Sequence, residues 1–469
     1  MTVPLLLLAA PTVMAGVVYL LRRWVWAQAI LAALTAAVLG LLALQIPLDQ
    51  IAVFAGRDVE FKAAWVVLGR SFTFAPDDRP ALAFIYLASM FFFAGAGAGR
   101  IPRAFLPVGL LILSLLAATL FVQPFLFAAL FLEMIAACAV LILADDDHPV
   151  TRGALRLLVF VTIAVPFILL AGFQLEGAAT SPDDATLLGR ATVLLNIGLM
   201  ILLAIVPFHS WIPTVAEESS PYASAFVFTV VQAAVMFFML KFLNQYDWLR
   251  NNPAEFAALR IGGAALVIIG GAFAFAQRQF GRLMGYAVMV DLGAALLAVG
   301  LGTADGLRAA MAIVALRSIG LAVWGLGLGW LKGRGGADFD ELASKAWNMP
   351  FAAAAAVIGG LSLAGFPLTA GFAGRWALYR LLAADNIGLA YVLLLASGSV
   401  VLAYARGIAA LVRPAVRRAE AESKWPLEDQ VAIAYLALGV LLIVALGLFP
   451  QLLLPSVTKA VEAFKALVR

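Results

Sequence analysis

Runs of apolar residues long enough to cross a hydrocarbon core, about 20 residues each, recur along the chain with short polar intervals between them. They fall near 3–21, 24–46, 81–98, 104–122, 124–143, 155–172, 188–206, 222–243, 258–275, 283–301, 307–331, 351–384, 387–412 and 430–453. The pattern predicts an all-α membrane protein of about 14 transmembrane helices. The longest polar interval, 47–80, carries Pro47, Asp49, Arg57, Glu60, Asp77, Asp78 and Arg79 and is expected to hold a short hairpin. After the last span, Val457, Ala460, Val461 and Phe464 lie against Lys459, Glu462 and Lys465 at helical spacing, the mark of an amphipathic surface helix. The first run ends at Arg22-Arg23 with no charged segment before it, so it reads as a retained helix rather than a cleaved signal peptide.

Charge then orients the chain. With the amino terminus outside, the inward loops collect Arg22, Arg23, Arg100, Arg103, Arg152, Arg156, Arg278, Arg282, Lys332, Arg334, Lys345, Arg406, Arg413, Arg417, Arg418 and Lys424. This positive-inside bias puts both termini on the periplasmic side of a bacterial inner membrane. Two spans are interrupted alike: Pro207-Phe208-His209-Ser210-Trp211-Ile212-Pro213 closes the seventh, and Gly365-Phe366-Pro367-Leu368-Thr369-Ala370-Gly371-Phe372 sits inside the twelfth. Proline removes a helical donor and glycine loosens the turn, so each break exposes backbone groups at membrane depth. Paired breaks predict two inverted five-helix repeats, 104–243 and 258–412, flanked by helices 1–3 (1–103) and a last helix with its tail (413–469). The competing reading is that both are ordinary kinks.

Composition narrows the chemistry. The chain is 64% hydrophobic and 12% charged, against roughly 25% charged in soluble domains, so water-soluble packing is excluded and the chemistry lies in the membrane. Cys138 is the only cysteine and His148 and His209 the only histidines. That excludes an internal disulfide framework or cysteine-held cluster and argues against a haem or multi-histidine metal site. The net charge of +4 sits at helix ends, which reads as topology rather than nucleic-acid affinity. The Asp145-Asp146-Asp147-His148 run reads as a solvated loop rather than a metal site. Lys332-Gly333-Arg334-Gly335-Gly336 lacks the strand and helix of a dinucleotide loop. No cofactor is expected.

The passage Val206-Pro207-Phe208-His209-Ser210-Trp211-Ile212-Pro213 with Ser224-Ala225-Phe226, the passage Leu361 to Arg375, and the segment Gln277 to Gly293 with Arg282, Leu283 and Tyr286 occur in one order along the chain. Together they resemble the antiporter-like subunits of respiratory complex I (NADH:quinone oxidoreductase) and of Mrp cation/proton antiporters. Among these, the chain N type fits best by length, by helix plan and by its PFH and SAF wording. The resemblance covers most of the chain and implies a non-redox subunit that moves protons or Na+ through half-channels along a polar axis at mid-membrane. It implies partnership with other membrane subunits and the bilayer, and contact with quinone only through neighbouring subunits.

Glu133, in Leu132-Glu133-Met134, occupies the place of the family's fifth-helix glutamate, and His209 lies in the break motif. The departures are equally informative. Leu202 and Gln232 stand where the family has its seventh- and eighth-helix lysines, Gly281 precedes Arg282 in place of another, Asp291 replaces a histidine, and Arg375 replaces the twelfth-helix lysine. Leucine and glutamine cannot carry a proton, and arginine stays charged at any working pH. Asp291 and Arg317 remain as intramembrane ionisable residues, either rewiring the pathway or neutralising one another. Glu217 and Glu218 read as helix caps at an aqueous start. Two alternatives stand beside translocation: a scaffold that kept the fold and lost the pump, and an exchanger-like partner of another uptake protein, such as a bicarbonate-accumulating complex.

Overall fold

The computed structural model describes residues 2–49, 51–54, 57–67, 69–99, 101–144, 151–180, 185–332, 336–414 and 427–467. The Asp145–His148 run, Gly333–Gly335 and the basic residues Arg100, Arg417, Arg418 and Lys424 lie outside them. Helices follow one another in the order α1 (Val3–Leu20), α2 (Val25–Gln45), α3 (Arg79–Ala96), α4 (Phe105–Phe121), α5 (Ala128–Leu143), α6 (Arg152–Thr180) and α7 (Ala185–Leu202). Then come α8 (Trp211–Glu218), α9 (Pro221–Phe226), a π-helical turn (Val227–Val231), α10 (Gln232–Gln245), α11 (Asp247–Arg250), α12 (Pro253–Ala276) and α13 (Phe280–Gly300). The remainder are α14 (Ala304–Lys332), α15 (Lys345–Asn348), α16 (Pro350–Leu363), α17 (Ala370–Asp385), α18 (Ile387–Leu411), α19 (Leu427–Leu448) and α20 (Leu454–Glu462). Among the described residues eleven helical segments are long and apolar enough to cross a membrane, and three shorter apolar helices, Phe105–Phe121, Thr186–Leu202 and Pro350–Leu363, accompany them.

Apolar helices in a bilayer either pack inside the bundle or face lipid, and burial sorts them. The segment Pro221–Gln245 and α13 are each 94% buried and α14 is 83% buried, whereas α1, α6, α12, α18 and α19 are about one third buried. The first three therefore form the axis, and the others face lipid with side chains such as Leu20, Phe173, Ile261 and Leu395, each at least two-thirds exposed. Backbones approach closely where glycines meet. A Cβ on Gly359 of α16 would stand 2.6 Å from the Gly320 carbonyl oxygen of α14, the small-residue contact that substitutes for hydrophobic drive in lipid.

The 47–80 interval holds two hairpins rather than one: β1 (Ile51–Phe54) with β2 (Arg57–Glu60), and β3 (Ala64–Val67) with β4 (Arg70–Thr73), the latter extended by β5 (Val122–Gln123). Beneath it Lys241 of α10 donates to Asp78 Oδ1 at 2.8 Å and to the Leu120 carbonyl, with Phe125 below the ammonium. At the other chain end Val457 and Val461 of α20 are buried and Lys459 and Glu462 exposed. That apolar face packs on α14 and α3, so the tail helix covers protein.

Both interrupted helices end the same way. At the close of α7, Ile205 N–H bonds the Met200 carbonyl and Ala204 N–H bonds Ile201; at the close of α16, Phe366 N–H bonds Leu361 and Gly365 N–H bonds Ser362. Each is a Schellman cap, with its left-handed residue at Ala204 (φ +53°) and Gly365 (φ +71°). Two of the freed carbonyls at each end are thus satisfied before the chain resumes as α8 or α17. In the second break the Ser362 hydroxyl also accepts from Gly371 N–H, at 3.1 Å.

Candidate functional site

Asp291 on α13, Arg317 on α14 and Arg375 on α17 converge. Arg375 Nη2 donates to Asp291 Oδ1 at 3.2 Å and to the Leu363 carbonyl at 2.9 Å, while Nη1 donates to Ser397 Oγ at 2.9 Å. Tyr379 OH also reaches Ser397 Oγ, at 3.0 Å, tying α17 to α18. Arg317 Nη1 stands 3.7 Å from Asp291 Oδ2, within ion-pair range but beyond a hydrogen bond. The three residues are 5%, 2% and 1% exposed.

The second break builds this site. Because α16 stops at Leu363, its last carbonyls have no helical donors, and the guanidinium of Arg375, in the second turn of α17, takes up the Leu363 oxygen. Gly365 in its left-handed conformation brings its Cα against the Arg375 stem, where a Cβ would stand 2.6 Å from Cγ. The Gly-Phe-Pro phrase and the arginine ten residues later are one construction.

The first break is built differently. Leu202 is buried and apolar. Gln232, just past the π-helical turn, is 5% exposed, and neither its carboxamide oxygen nor its nitrogen has a hydrogen-bond partner. Thr229 Oγ1 in that turn and Ser89 Oγ on α3 are likewise unpaired. His209 is half-buried in the turn that follows the cis Val206-Pro207 bond, with Nδ1 buried and unpaired. Gly281 has a packing reason: a Cβ there would overlap the Ala216 carbonyl of α8, so no lysine fits.

Glu133 stands apart. On α5 it is half-buried beside the exposed Leu130, Met134 and Leu141, and among the described residues no hydrogen bond or ion pair reaches it. Glu217 pairs with Arg282 at 2.6 Å, and Glu218 accepts from Gly153 N–H at 3.1 Å at the start of α6. The sequence reading passed over two buried polar pairs. One is Lys241–Asp78; the other joins Asn196 Nδ2 to Glu255 Oε1 at 3.0 Å, beside a largely apolar cavity of about 300 Å³ between α7, α10 and α12. The signal for the first was an ammonium in the apolar run Val235–Leu243, four residues from the end of α10. The second was visible as the glutamate three residues after the Asn252 cap.

The model of the family described as NADH:quinone oxidoreductase/Mrp antiporter, TM, matches residues 123–402, a stretch that contains both breaks and every member of the cluster. NADH-quinone oxidoreductase subunit N of Chromohalobacter salexigens is 31% identical over 301 residues, which are 59% of this chain and 58% of that protein. The chain thus spans somewhat less than six-tenths of that relative's length. A chain of the archaeal membrane-bound sulfane sulfur reductase superposes with a TM-score of 0.80 at 19% identity, covering 98% of this chain and 97% of its own. One from the Mrp complex of Dietzia sp. DQ12-45-1b gives 0.79 at 17% identity, covering 99% of both. A shared fold over the whole length and a matching family model through both broken helices lead to one conclusion: the chain belongs to the NADH:quinone oxidoreductase/Mrp antiporter transmembrane family.

Proposed function

We propose that this chain is a non-redox membrane subunit of an ion-translocating assembly of the complex I or Mrp kind, and that Asp291, Arg317 and Arg375 are its principal charged site. The single observation that carries the reading is this buried cluster beside the α16–α17 break: such groups are costly in lipid and persist at ion pathways. The reading takes the chain as fourteen crossings, both termini on the periplasmic face of an inner membrane, with α4–α10 and α12–α18 as inverted repeats. The matching caps at Ala204 and Gly365 support that symmetry. The transported ion is a proton or Na+. Glu133, unpaired on an exposed stripe of α5, is assigned as a titratable group of the pathway at the contact with a neighbouring membrane subunit, which would supply the opposite charge.

A scaffold that no longer conducts is the second reading. It is favoured by Leu202 and Gln232, which put non-titrating side chains at the two relay positions of the first half. Translocation by the assembled complex in liposomes decides between them. Glu133→Gln or Arg375→Ala should abolish ion movement if the first reading holds; full ion yield with assembly intact supports the scaffold.

A further inference from the structure

Charge bookkeeping around Asp291 leads to a ligand. The cluster holds one carboxylate and two guanidinium groups, and arginine remains protonated in proteins, so it carries one net positive charge. All three side chains are less than one-tenth exposed. Among the described residues no other acidic group lies within ion-pair distance of either arginine. An uncompensated buried cation costs several kcal/mol.

Hydrogen bonding points the same way. Arg317 Nε, Nη1 and Nη2 are all buried without a hydrogen-bond partner, and so is Arg375 Nε. Among the described residues the carboxylate oxygen within ion-pair reach of Arg317 is Asp291 Oδ2, at 3.7 Å, so these donor nitrogens outnumber the acceptor beside them. Water could fill the donors but would leave the charge. A cation or proton would find almost no lone pairs and would add to the charge. An anion answers both demands, and charge-assisted bonds to a guanidinium fork are the strong kind.

We propose that Arg317, with Arg375 beside it, binds one small monovalent anion of halide size in the membrane interior, making the cluster neutral. The site is independent of whether the assembly translocates ions.

The full chain, purified in dodecyl maltoside with gluconate as the bulky counter-anion, is equilibrated with radioactive chloride. Saturable binding of about one ion per chain is expected, competed by bromide and, in a separate arm, by bicarbonate, which tells halide from oxyanion use of the same fork. Arg317→Met should weaken binding at least about tenfold, while Arg282→Gln, a change to an exposed pair, should leave it unchanged. Absence of saturable binding to the folded wild-type chain overturns the proposal, and so does unchanged binding in Arg317→Met. Should that variant fail to fold, a bromide anomalous-scattering map of the wild type decides. A peak within hydrogen-bond reach of Arg317 supports the site, and a peak only elsewhere sinks it.

Discussion

The two arginines of the cluster look equivalent in sequence, yet the structure assigns them opposite energetic roles. Arg375 makes three hydrogen bonds, one to a carboxylate, one to a cap carbonyl and one to a hydroxyl. Bonds to charged groups contribute about 1.5–3 kcal/mol each, and they are not additive. Breaking a buried pair by removing one partner costs about 3–5 kcal/mol, so Arg375→Met should destabilise by about that amount. Arg317 makes no hydrogen bond to protein and holds its partner only at 3.7 Å. Arg317→Met removes a desolvated charge, leaves the bonded Asp291–Arg375 pair, and brings the cluster to neutrality; it should lie between neutral and about 3 kcal/mol stabilising in gluconate. Asp291→Leu leaves two buried cations together and should cost more than about 5 kcal/mol. The assay is equilibrium unfolding by SDS titration from dodecyl maltoside micelles, followed by tryptophan fluorescence with Trp324 on the same helix as Arg317. Double-mutant cycles should give Asp291 a coupling of about 3 kcal/mol to Arg375 and under about 1 kcal/mol to Arg317. Equal losses for Arg317→Met and Arg375→Met would refute the assignment.

Ala204 holds a left-handed conformation that costs a residue with a Cβ roughly 1–2 kcal/mol; Ala204→Gly should raise unfolding stability by up to about 1 kcal/mol in the same titration. Gly281→Lys, which installs the lysine that the sequence resemblance implies at this position, should reduce the yield of folded monomer on size exclusion, because its Cβ meets the Ala216 carbonyl backbone. Lys241→Met should cost about 3–5 kcal/mol by orphaning Asp78. Protease accessibility of the 47–80 hairpins should rise with it.

Hydrophobic run lengths made the order and type of the helices legible, because a bilayer demands about 20 apolar residues and leaves few alternatives. The breaks were legible where glycine and proline announce them. Ala204 could not be read as left-handed, since nothing in an alanine signals positive φ; only the cap geometry and its twin at Gly365 reveal it. Asp291, Arg317 and Arg375 were visible as costly residues, but their meeting depends on how α13, α14 and α17 pack, which spacing along the chain does not encode. Lys241 and Asp78 were missed for the opposite reason: each lies near a helix end, where charge is usual, and only their burial against one another marks them.

The substitutions that separate this chain from its relatives' wording act together. In the first half Leu202 is apolar, Gln232 is neutral, and Gly281 lets α8 settle against α13 with its carbonyl where a longer side chain would stand. In the second half Arg375 stands where the resemblance implies a neutralisable lysine, and an arginine on α14 faces a carboxylate on α13. A lysine gives up its proton when desolvated, whereas arginine does not. The two positive charges of the cluster are therefore fixed, one compensated by Asp291, and what can vary is the second, exchangeable anion. Any ion movement through this half must be coupled to exchange of that compensating charge rather than to titration of the cation. If the assembly translocates ions, the path through this half runs past Asp291, and α13, as enclosed as the 221–245 segment, is the element on which that transport would depend.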